Sequence, residues 1–218
     1  MTLLAESRSR LSGDPSVLSA IRDEGCNLAV WQRAPFADFA PLVAGEPKDL
    51  RFIGDPASLG TRLLRELASG GFGGGAALHH VLAEDAAHLG RLFCAAMDLA
   101  LLELRLEVVR TDSCRKFHAD YVTARLITTY VGEGTHWLAD EDAARLAAGG
   151  EPRRIHRLAP FDVGLFKGKL ATGNPVIHRS PPIAGTDGGA RLLLVLNPAS
   201  PPRGDVAQSP LPARGHMA

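Results

Sequence analysis

The apolar positions change their period once along the chain. In the first half they fall at helical spacing. Leu59, Leu63, Leu64 and Leu67 follow Asp55-Pro56-Ala57-Ser58, a capping segment with proline in the first turn, and predict a helix over residues 56–69. A second stripe, Leu89, Leu92, Phe93, Ala96, Met97, Ala100 and Leu104, has Glu84 and Asp85 at its start and predicts a packing helix over 83–104. Two short strands, Asn27–Gln32 and Leu50–Ile53, precede these helices. The run Gly70–Gly75 lacks the Lys and Ser/Thr of a phosphate loop and the order of a dinucleotide fingerprint, so it reads as a flexible connection. After Leu106 the period shortens to that of strands. Glu107–Arg110, Arg115–Tyr121, Ala124–Tyr130, Thr135–Leu138, Arg154–Leu158, Val163–Lys167, Pro175–His178 and Arg191–Asn197 are short, often β-branched or alternating, and bounded by Gly, Pro and Asp. One helical insertion, Asp140–Ala148, starts with acidic residues and stops at Gly149-Gly150.

The predicted fold class is α+β: a jelly-roll core over 107–198, with the helix-rich layer of 25–106 packed on its outer face because apolar stripes need a sheet to cover. Residues 1–24 are expected to be a loosely ordered N-terminus, and 199–218 a proline-rich flexible tail, flanking one domain over 25–198.

Charge narrows the function. Lys and Arg number 24, as do Asp and Glu, so no basic surplus exists to neutralise a phosphate backbone and nucleic acid is not an expected partner. The most apolar stretch, Ala95–Leu106, is interrupted by Asp98, Glu103 and Arg105 and falls short of the roughly 20 residues that span a bilayer, so no membrane helix is expected. The N-terminus lacks a basic start followed by a long apolar run, which points to a cytoplasmic chain. Three cysteines, Cys26, Cys94 and Cys114, are too few and too scattered for a disulfide framework or a paired-cysteine zinc site. His79, His80 and His88 have no second cluster of ligand-type residues to complete a metal site, and structural or solvent roles are expected for them.

Candidate chemistry lies in the β-rich half. His118 and Asp120 stand two apart, a spacing that on a strand projects both side chains to one face. With His178 as a third ligand they would offer two imidazoles and one carboxylate to a cation, an arrangement that leaves coordination positions open. Cys114, four residues before His118, is either a simple buried thiol or a fourth ligand that would favour zinc.

The order of segments carries a resemblance. His118-Ala-Asp120, then Arg125-Leu-Ile-Thr-Thr-Tyr130 and Gly132-Glu-Gly-Thr135-His-Trp137, then Gly173-Asn-Pro-Val-Ile-His178-Arg-Ser-Pro-Pro182, and finally Arg191-Leu-Leu-Leu-Val-Leu196 resemble the Fe(II)/2-oxoglutarate-dependent oxygenase superfamily over residues 114–197. The string from Cys114 to Trp137 with the His178–Pro182 box also looks like a bacterial family described only as a domain of unknown function, whose members often lie beside zinc-homeostasis GTPase genes. The first resemblance implies a double-stranded β-helix with Fe(II) held by His118, Asp120 and His178, which are then the catalytic residues. It implies 2-oxoglutarate as cosubstrate, its far carboxylate on Arg191, with Tyr130 hydrogen-bonded to the same carboxylate and Arg125 or Arg179 as substitutes for Arg191. Many superfamily members carry Ser or Thr two residues after that Arg, where Leu193 stands here. The implied activity is hydroxylation or oxidation of a small-molecule or protein substrate. The alternative is a non-catalytic zinc-binding protein acting in zinc homeostasis, with a closed four-ligand shell.

Overall fold

The computed structural model describes residues 8–112, 114–183 and 189–200. Ten strands and three α-helices are found among them: β1 Ser9–Ser12, β2 Leu28–Trp31, β3 Leu50–Gly54, α1 Leu59–Ser69, α2 Gly75–Met97, β4 Leu101–Val109, β5 Ala124–Val131, β6 His136–Trp137, α3 Asp140–Ala147, β7 His156–Arg157, β8 Val163–Lys167, β9 His178–Arg179 and β10 Arg191–Ala199. They build a mixed α+β protein with a seven-stranded sheet in the order β1-β2-β8-β5-β10-β4-β3 and a three-stranded sheet in the order β7-β6-β9. Neighbours pair antiparallel except β1 with β2. Among the described residues no helix is long and apolar enough to cross a membrane.

Alternation within the strands divides the large sheet into two faces. Leu102, Leu104, Leu106, Leu126, Leu192, Leu194 and Leu196 point one way and pack with Leu59, Leu63, Leu67, Leu82, Leu89 and Phe93 of α1 and α2. Full burial stabilises by about 1.5–3 kcal/mol for each such side chain, so this face holds most of the core. Gly90 lets the two helices approach: a Cβ there would stand 2.7 Å from Leu59 Cδ2. On the other face Leu28, Val30, Ile127, Phe166, Leu193 and Val195 meet Trp137 of the small sheet together with Leu158 and Val176. The two sheets therefore face one another.

Three expectations change. The helix expected over 83–104 begins at Gly75 and ends at Met97, closed by Asp98 in the left-handed conformation (φ 54°) with its N–H donated to Cys94 O. Beyond it Leu102-Glu-Leu-Arg-Leu-Glu107 alternates buried and part-exposed, the period of a strand, and forms the middle of β4. The glycine run does not float between helices; Gly74 caps α2, and His79 Nε2 lies 2.9 Å from Gly73 O. Residues 8–24, expected to be loose, contain β1 and a 3₁₀ segment, Pro15–Arg22, whose Leu18 and Ile21 are buried in the helix-side core. Residues 201–218 of the expected tail lie outside the described residues.

Candidate metal centre

The site is assembled by main chain. His118 and His178 form an isolated antiparallel bridge, each N–H donating to the other's carbonyl at 2.9 Å. Antiparallel partners put their side chains on one side of the pair, and the two imidazoles stand with ring centroids 4.8 Å apart. The segment expected as the strand Arg115–Tyr121 is paired at His118 alone, because the chain turns at Cys114 (φ 56°) and loops again toward Asp120. Lys169 N–H donates to Asp120 O at 2.9 Å, and Gly168 makes that approach possible, since a Cβ there would lie 2.2 Å from Val122 O.

Both rings are oriented from behind. His118 Nδ1 lies 2.9 Å from Lys116 O and His178 Nδ1 lies 3.1 Å from Val176 O. A carbonyl only accepts, so each Nδ1 carries the proton and, in the neutral ring, Nε2 is left with its lone pair. Asp120 completes the cluster. Its Oδ1 accepts from Arg125 Nη1 at 2.6 Å and lies 3.8 Å from His118 Nε2, while its Oδ2 lies 3.2 Å from His178 Nε2. That last approach is electrostatic contact rather than a hydrogen bond, for buried Oδ2 has no hydrogen-bond partner. Burial works to raise the Asp120 pKa, but His178 in its protonated form, with Arg125 and protonated His118, outweighs it and holds the carboxyl below its usual range. Ligand atoms of His118, Asp120 and His178 all lie within 4.8 Å of one another. In the neutral rings two imidazole lone pairs face a carboxylate with one orphaned oxygen, an arrangement that a divalent cation stabilises. The donor set fits a metal.

A cavity of about 130 Å³ opens beside the cluster, bordered by Arg105, Glu107 and Val109 of β4, Ile127 of β5, and Leu193 and Val195 of β10. It adjoins an outer groove of about 710 Å³, and Arg105, Glu107, Val109 and Cys114 belong to both.

The other residues proposed from sequence separate. Arg191, only 1% exposed, points to the face carrying the cluster; its Nε donates to Glu133 O at 2.7 Å, its Nη2 to Thr129 Oγ1 at 3.4 Å, and its Nη1 has no partner. Burial lowers its pKa to about 10. Arg125 is not free for a cosubstrate, because it is committed to Asp120 and to Asn197. Arg179 lies over the Phe117 ring at 4.3 Å. Tyr130 is a correction. The register shifts by one residue between Leu192 and Leu193, leaving Tyr130 as the extra residue of a bulge, and its ring packs on the helix side with its hydroxyl donated to Asp85 Oδ2 at 2.5 Å. It cannot reach the cavity. Cys114 is exposed in a turn and is not part of the cluster.

Sequence reasoning missed two features. Arg105 and Glu107 form an ion pair at the cavity mouth, and their alternation with leucines was the available signal. Arg33, Asp85 and Tyr130 form a buried network across the helix-side core, for which no local pattern exists.

Residues 12–197 match a family described as protein of unknown function DUF1826. The chain belongs to the DUF1826 family. No curated protein matches this DUF1826 chain. Among solved structures it is similar to a full-length Neurospora crassa protein in complex with alpha-KG (14% identity over 50% of this chain and 39% of that one, TM-score 0.31). It is also similar to a bsmA homolog from Methylobium petroleophilum (20% identity, 55% and 48% covered, TM-score 0.31) and to a Pseudomonas putida prolyl-4-hydroxylase (12% identity, 84% and 96% covered, TM-score 0.39). The DUF1826 chain thus spans about two fifths of the Neurospora protein.

Proposed function

We propose that this DUF1826 chain is a non-haem Fe(II), 2-oxoglutarate-dependent oxygenase acting on a small-molecule or protein substrate. The observation that carries the reading is the convergence of His118, His178 and Asp120, whose Oδ2 is orphaned, between two facing sheets. In this reading the facing sheets are a double-stranded β-helix, and the three residues would hold the iron on one side. Bound Fe(II) and 2-oxoglutarate supply oxidation of a substrate C–H bond to C–OH by O₂, with the cosubstrate leaving as succinate and CO₂.

The chain's own residues have defined parts. Lys116 O and Val176 O fix the imidazoles. Ile127, Leu193 and Val195 line the cavity with apolar surface and keep water from the reacting centre. Arg191 holds the far carboxylate of 2-oxoglutarate through its unpartnered Nη1, which supplies a buried positive donor with nothing to bond. Leu193 occupies the place where a hydroxyl is common, and its cross-strand partner Thr129 brings a hydroxyl to the same guanidinium. A closed zinc site is less well supported: among the described residues no fourth His, Cys, Asp or Glu joins the cluster.

The test is anaerobic titration of the Fe(II)-loaded protein with 2-oxoglutarate. A metal-to-ligand charge-transfer band is expected, and Arg191→Leu should weaken the cosubstrate about 10- to 150-fold, the loss of a charged hydrogen bond of about 1.5–3 kcal/mol, while metal binding persists. No band and no thermal response in the unaltered chain would overturn the oxygenase.

A further inference from the structure

We infer that Arg125 is a positioning residue, which fixes the Asp120 carboxylate so that it offers Oδ2 alone to a metal, and that a row of polar side chains across the large sheet holds Arg125 in place. The inference rests on the metal-centre reading given above.

The row crosses four strands, with a diagonal last step from Glu103 to Arg51. Arg125 Nη1 donates to Asp120 Oδ1 at 2.6 Å and its Nε donates to Asn197 Oδ1 at 2.8 Å. Asn197 Nδ2 donates to Glu103 Oε2 at 2.9 Å, and Glu103 Oε1 accepts from Arg51 Nε at 2.6 Å. Asn197 and Glu103 are direct partners in the β10–β4 register, and Arg51 stands on the edge strand β3. Arg125 is therefore gripped at Nε by an amide whose own orientation is set by a carboxylate. An amide facing the other way would present a donor to a donor, so Glu103 selects the Asn197 rotamer that accepts from Arg125.

The consequence falls on Asp120. A carboxylate with both oxygens free can chelate a cation through both, which uses two coordination positions. Here a short charge-assisted bond occupies Oδ1, and Oδ2 is the oxygen that lacks a partner. A single-oxygen ligand beside two imidazoles keeps the remaining positions open. A fork such as guanidinium can bridge Asp120 and Asn197 at once; a lysine ammonium is a point charge on a flexible stem and cannot set both directions.

Co(II) is the probe, added to the full chain, with affinity and visible d–d spectrum as readouts and circular dichroism as the check on folding. His118→Ala should abolish binding. Arg125→Met should weaken Co(II) about 10- to 100-fold, the range for loss of a partner that orients a ligand, and should shift the spectrum as Oδ1 becomes free. Asn197→Leu keeps the guanidinium but removes its grip and should move the same spectrum by less; Arg125→Lys should keep the charge without restoring the spectrum. If Arg125→Met does not fold, the latter two variants decide. Wild-type affinity and spectrum in Asn197→Leu and in whichever Arg125 variants fold would overturn the positioning role and leave the metal centre standing. Failure of the unaltered chain to bind Co(II) would overturn both.

Discussion

The large sheet carries a buried aspartate network on each face, and the two are opposites. On the helix side Asp85 Oδ1 accepts from Arg33 Nη1 at 2.6 Å, and Oδ2 accepts from Arg33 Nη2 at 3.0 Å and from Tyr130 at 2.5 Å. Arg33 Nε donates in addition to Phe161 O. Each carboxylate oxygen has a donor and each guanidinium nitrogen an acceptor. On the small-sheet side Asp120 has an arginine too, yet Oδ2 is orphaned, and Arg191 on the same face keeps a nitrogen without a partner. Burial is similar: the Asp85 and Asp120 side chains are 10% and 9% exposed. Burial of charge alone therefore does not mark a functional site. An orphaned carboxylate oxygen beside two imidazoles is the difference here, since a buried acceptor without a donor costs stability that a bound cation would offset.

That contrast can be broken by stability measurements. The largest effect belongs to Asp85→Ala, which strands the Arg33 guanidinium in the core; urea unfolding should show a loss of about 3–5 kcal/mol with Co(II) affinity of the folded protein unchanged. Next, a divalent cation at about one hundred times its Kd should stabilise the unaltered chain by about 2.7 kcal/mol, read as a rise in melting temperature; a shift that survives His178→Ala would place the ion elsewhere. Tyr130→Phe removes one hydrogen bond to a charged group and should cost about 1.5 kcal/mol, with no change in 2-oxoglutarate affinity. A cosubstrate effect there would return Tyr130 to the cavity side. Smallest is Asp120→Asn. The amide can still accept from Arg125, and its N–H faces the His178 lone pair, so metal-free stability should move by less than about 1 kcal/mol while the cation-induced rise in melting temperature disappears. A large metal-free loss would make Asp120 a structural residue like Asp85.

How much of this was legible in the sequence follows from distance along the chain. His118 and Asp120 sit in one short string and the His178 box in another, so their order could be read directly. What brings them together is a backbone bridge and a loop, not the regular strand that spacing suggested. Tyr130 falls on the helix side by simple alternation, sharing parity with Ala124 and Leu126 and opposing Arg125 and Ile127, so strand parity in Arg125-Leu-Ile-Thr-Thr-Tyr130 was the available signal and the order of motifs masks it. The sequence offers Arg125 only as a substitute for Arg191 and does not show its positioning contacts, because its partners, Asn197 and, through it, Glu103, meet it only through the register of three strands. The boundary between α2 and β4 was hidden in an apolar run, where leucines satisfy a helical stripe and a strand alternation equally well until Asp98 breaks the helix.

The bridge between His118 and His178 has an evolutionary reading. Its two hydrogen bonds are made by peptide groups, and peptide groups do not record which side chains they bear. A lineage could exchange either histidine and inherit the same frame, with the same two positions held side by side over the same hollow. Natural variation at these two positions can therefore silence or retune the chemistry without first having to rebuild the scaffold that presents it.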